Sequence, residues 1–91
     1  MTELLHEFST RIRDRQGGDY IAQAWGRRMD GGRWEGWLVF LPAERGFARR
    51  TGQETTQANL DALAYWVTDL EPVYLQGALD RSVPVRLDSA A

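Results

Sequence analysis

Arginine and the aromatic residues concentrate whatever capacity this sequence has to act on another molecule. All eleven basic residues are arginine, and four tryptophans stand among 91 residues. A guanidinium offers a planar fork that matches carboxylate and phosphate oxygens and stacks on rings, which an ammonium does not. A G+C-rich genome, whose codons favour arginine, would account for this bias; selection for planar, bidentate recognition is the alternative. What codon usage leaves open is a set that would share one sheet face: Arg11, Arg13, Tyr20, Arg28, Glu35, Trp37 and Val39, with Arg15 and Leu41 beside them. Trp, Tyr and Arg are the residues enriched at binding hot spots. This set is therefore expected to bind a protein partner or a second copy of the chain as a homodimer. The same residues could stack bases and hold phosphates, so a nucleic-acid-binding module is the alternative. It is the weaker one, because the acidic C-terminal half disfavours a polyanion. A face that merely solubilises the domain is the plainest account of all.

A second basic group, Arg45, Arg49 and Arg50 around Phe47, precedes a helix start and is a candidate anion site. Catalytic sets are scarce. His6 is the only histidine, and no cysteine exists to supply a thiolate, a disulfide or a Cys-based metal site. Asp61, Asp69 and Glu71 lie close in sequence but fall where solvated carboxylates belong. The paired glycines are explained by turns and match no phosphate-binding pattern. A non-catalytic protein without cofactor or metal is the expectation.

These residues must be positioned by hairpins. The stretch Arg33 to Leu41, Arg-Trp-Glu-Gly-Trp-Leu-Val-Phe-Leu, follows the turn sequence Asp30-Gly31-Gly32 and reads as a strand. A two-residue turn on Gly31-Gly32 would pair Arg28 with Glu35 and Gly26 with Trp37. A second such turn on Gly17-Gly18 would make residues 6–15 a strand, with Ile12 opposite Gln23. Phe8, Ile12, Ile21, Trp25, Trp34, Leu38 and Phe40 would then face the core, leaving Tyr20, Ala22, Ala24, Trp37, Val39 and Leu41 outside. Residues 46–50 suggest a weak fourth strand. Leu60, Leu63, Ala64, Val67 and Leu70 form one helical stripe. Pro72 suits the first position of a further helix, reaching about Asp80. Val83 to Leu87 alternate, but Pro84 restricts them to an edge.

The fold expected is α+β: an antiparallel β-meander of three to four strands, with one main helix (about 57–70) packed on one face and a short C-terminal helix. Ninety-one residues make a single domain, 1–91, with 88–91 as a frayed tail. The net charge of −2 hides a modest asymmetry, +3 over residues 20–53 and −4 over 54–91. This falls short of the balance of a DNA-binding domain. The N-terminus lacks the basic and apolar regions of a signal peptide, and the longest apolar run is Trp37 to Leu41. Neither a membrane span nor export is expected, which makes a cytoplasmic location the default.

Overall fold

A computed structural model describes residues 2–86; the tail expected at 88–91 lies outside them. Seven antiparallel strands form one sheet, with two helices on one of its faces. In chain order they are β1 (Thr2–Glu7), β2 (Ile12–Arg13), β3 (Asp19–Arg28), β4 (Trp34–Pro42), β5 (Ala48–Arg50) and β6 (Thr55–Gln57). Helices α1 (Leu60–Thr68) and α2 (Pro72–Arg81) follow, and β7 (Val83–Val85) closes the sheet. The long β3–β4 hairpin is its centre. β1 and β2 share the outer edge of β3, and β5 and β6 share that of β4. β7 pairs with β5 and carries Pro84, whereas β1 at the opposite edge has a register irregularity between Leu4 and His6.

The three- to four-stranded meander beneath one main helix is thereby overturned. Thr55 to Gln57, expected in or next to that helix, instead pair with Gly36 to Trp34, and the helix begins only after Asn59. Asn59 accepts a hydrogen bond from the Ala62 amide at 2.8 Å, satisfying one of the donors a helix start leaves free. At nine residues α1 is shorter than α2, which has ten and starts at Pro72 as expected. The expected 6–15 strand is also divided, into β1 and β2.

Both hairpin registers differ from expectation because each loop holds three residues, not two, and the first is centred on Gln16 rather than on the Gly17-Gly18 pair. Met29 N donates to Arg33 O at 2.7 Å, enclosing the three residues Asp30, Gly31 and Gly32. Gly31 adopts φ 82° and ψ 5°, the values required at the third position of a type II turn. Arg27 therefore faces Glu35, Arg28 faces Trp34, and Trp25 faces Trp37. In the first hairpin Asp14 N donates to Gly18 O, while the Asp14 carboxylate accepts from the amides of Gln16 and Gly18. Ile12 consequently faces Tyr20, not Gln23.

A one-residue change in register turns every side chain of a strand to the other face. β4 keeps its expected orientation, with Leu38 and Phe40 inward. β3 is reversed. Tyr20, Ala22 and Ala24 join Ile12, Leu38 and Phe40 in a core closed by Val67, Leu75, Ala78 and Leu79 of the helices. Ile21 and Trp25 move to the opposite face.

Gly26 and Gly36, directly paired across the central hairpin, explain how α1 comes so near the sheet. A Cβ at Gly26 would stand 2.7 Å from Leu63 Cδ2, and one at Gly36 would stand 2.8 Å from Leu63 Cδ1. The two methyls of this fully buried leucine thus rest on two glycine backbones. A side chain at either position would force Leu63 out of its place on the sheet.

A polar cluster fastens α2 to the β5–β6 segment. Glu54 receives Tyr74 Oη at 2.5 Å and pairs with Arg81, whose guanidinium also lies 5.3 Å from the Tyr74 ring centroid. Burial alone would raise the Glu54 carboxyl, but hydrogen bonds from Arg81 and Tyr74 and the charge of Arg81 outweigh it, so its pKa lies below the usual range. The stabilisation from this depressed pKa is complete above the value of an unfolded glutamate, about 4.3. It is lost as the pH falls through the lower folded value. Denaturant midpoints measured across the acid range should fall more steeply for the parent than for Glu54→Gln; parallel curves would refute this role for Glu54.

Candidate interaction surface

The face of the sheet away from the helices is built by the odd-numbered residues of β3 and β4. Trp37 and Val39 lie at its centre, 2% and 1% exposed, surrounded by half-buried Trp25, Leu41 and Val85. No helical residue belongs to this cluster. The ring of Trp37 is shielded by its neighbours: the Arg50 guanidinium lies 4.3 Å from the ring centroid, a cation–π distance. The Trp37 indole Nε1 is buried and has no hydrogen-bond partner among the described residues.

Polar groups border the cluster in a fixed order. The Trp25 indole donates to Gln23 Oε1 at 2.9 Å, and Gln23 Nε2 donates to Glu7 Oε1 at 2.9 Å, which joins β3 to β1. Arg27 and Glu35, facing each other across the hairpin, form an ion pair at 2.5 Å. Beyond this border are apolar side chains that water reaches, Leu4 at 48% and Val83 at 58% exposure. The register places Leu4 opposite Trp25 and Val83 opposite Arg50, so both belong to this face.

Few of the residues expected to share the face do so. Glu35, Trp37 and Val39 lie on it, though Trp37 and Val39 are buried. Tyr20 is in the helix-side core, where burial raises its phenol pKa, with the Asp14 carboxylate adding to the effect. A base-stacking platform joining Tyr20 to Trp37 does not form. Arg28 is exposed near the hairpin tip, opposite Trp34. Arg11 and Arg13 lie at the other end of the molecule, where Arg13 Nε bonds Asp19 at 2.9 Å. Sequence reasoning missed Leu4, Ile21, Trp25, Val83 and Val85 as members of the face. The signal that would have found the β3 residues is Gly31, equidistant in sequence from Gly26 and Gly36.

The anion-site residues separate as well. Arg49 and Arg50 are consecutive on a strand and point to opposite faces. Arg50 covers Trp37, whereas Arg49 donates to Ser82 Oγ at 2.9 Å and to Ser82 O at 2.6 Å. Arg45 stands apart on the exposed loop before β5.

His6 is exposed and meets Phe8 edge to face at a centroid distance of 4.7 Å. Among the described residues no group of three or more His, Asp or Glu side chains is arranged to hold a metal ion, and no helix is long and apolar enough to cross a membrane. Compared with known protein families, curated proteins and solved structures, the chain matches none.

Proposed function

We propose that this chain is a non-catalytic interaction module that binds a protein partner, or a second copy of itself, through the outer face of its sheet. One observation carries this reading: both helices pack on the opposite face, leaving Leu4, Ile21, Trp25, Leu41, Val83 and Val85 around Trp37 and Val39 with no helix above them among the described residues. Contiguous apolar surface of this kind marks association sites on small domains. Trp37 and Val39 act as the rigid floor of the surface, and the partner meets the ring of residues around them.

Leu4→Arg combined with Val83→Arg tests the proposal, since both positions are exposed and carry no core contact that folding requires. The parent should gain molar mass across a concentration series by light scattering, and the double variant should remain monomeric with an unchanged melting curve. A parent that stays monomeric refutes the self-association form and leaves the partner form. A partner complex that weakens steeply as salt rises would signal phosphate contacts and support nucleic acid instead.

A further inference from the structure

The β2–β3 hairpin and the loop after β4 enclose a recess of about 300 Å³ at one end of the sheet. Arg11, Arg13 and Arg45 line it together with Asp19 and Glu44, although Arg45 is more than thirty residues away in sequence from the other two arginines. Asp19 lies six residues along β3 from Trp25, roughly 20 Å at the rise of a strand, so the recess is separate from the tryptophan cluster.

Its frame is fixed by backbone and charge. Ala43 N donates to Asp19 O at 2.8 Å, extending the β3–β4 ladder past Pro42 and holding the loop that bears Glu44 and Arg45. Arg13 Nε donates to Asp19 Oδ1 at 2.9 Å, leaving its terminal amino groups outside that bond. That hydrogen bond, helped by the charges of Arg13 and Arg11, keeps Asp19 below the usual carboxylate range. Asp19 therefore stays ionised and continues to orient Arg13. Arg11 and Arg45 have no ion pair or side-chain hydrogen bond among the described residues.

We propose that this recess binds the phosphate group of a small hydroxylated phosphomonoester. Two unengaged guanidiniums on separate segments suit a tetrahedral dianion, which presents three terminal oxygens to more than one fork at once. Bound phosphate would be held by Arg11 and Arg45, with the terminal amino groups of Arg13 as a third donor. Glu44 and Asp19 would accept hydrogen bonds from ligand hydroxyls. The volume exceeds what phosphate alone requires and leaves room for a compact polar body.

The test is a titration of the isotope-labelled chain, followed by amide resonances at constant ionic strength, with ribose 5-phosphate, inorganic phosphate and ribose. Ribose 5-phosphate should shift Arg13, Gly17, Gly18 and Arg45 saturably, inorganic phosphate should do so more weakly, and ribose should leave them in place. Arg11→Gln and Arg45→Gln, both at exposed positions, should each weaken the phosphate ligands by about tenfold, the worth of one charge-assisted contact. Arg33→Gln, on the distant hairpin, should change nothing. Equal binding of the two phosphates would overturn the hydroxylated ligand. Absence of a saturable shift, or a shift that the Arg11→Gln/Arg45→Gln pair retains, would overturn the site itself.

Discussion

Leu63→Ala should cost about 2–5 kcal/mol, the range for deleting a fully buried leucine. A domain of this size has roughly 5–14 kcal/mol to lose, so the variant should sit near the edge of folding. The cost arises because the two δ-methyls fill a space bounded by rigid backbone. Gly26 and Gly36 have no side chains that could swing in to occupy the cavity. The same socket can be challenged from the other side. Gly36→Ala places a methyl against Leu63 and Thr55, an overpacking that should cost about 1–3 kcal/mol. Urea midpoints report both effects, with an unchanged slope showing that the unfolded states are comparable. If Leu63→Ala proved neutral, α1 would not be seated on the glycine pair.

Trp37→Ala should be comparably damaging, by about 3–5 kcal/mol, although Trp37 lies on the face without helices. At 2% exposure its ring is the floor against which Trp25 and Arg50 are placed, so its loss should loosen three strands. Trp25→Ala, by contrast, removes a half-buried ring and should affect association more than stability. Thermal melts of the two variants side by side check this order. A Trp37→Ala chain that melts like the parent would refute the ring as the support of these strands. Alanine at Tyr20 belongs to another experiment, since it empties the helix-side core.

Much of the element content was legible in the residues themselves. The alternation around Leu38 and Phe40, the stripe through Leu63 and Val67, and Pro72 at a helix start all correspond to the structure. The pairing of β3 was not, and the reason is physical. Both of its faces carry apolar side chains, so Tyr20, Ala22 and Ala24 on one side are as compatible with burial as Ile21 and Trp25 on the other. Alternation carries no preference in such a strand, and register passes to the turn. Two consecutive glycines suggest a two-residue loop, but Asp30 is drawn in to make three. The candidate surface inherited that one-residue error. That register places Tyr20 on it and Trp25 off it, and adjacency groups Arg49 with Arg50 although they face opposite ways along a strand. The recess of Arg11, Arg13 and Arg45 could not be read at all, because only the tertiary fold brings those segments together.

The two borders of the sheet are unlike, and this bears on what a crowded solution of the protein would do. Unpaired strand edges are templates for open-ended polymerisation. At β7 the proline between Val83 and Val85 contributes no N–H, so a further strand could not complete a ladder there. At β1 the outward row of amides and carbonyls is interrupted only by the irregularity near Leu4. Two molecules joined β1 to β1 would present, at either end, proline-bearing β7 beside the three-residue β6. Pro84 and the shortness of β6 both work against further growth of such a ribbon.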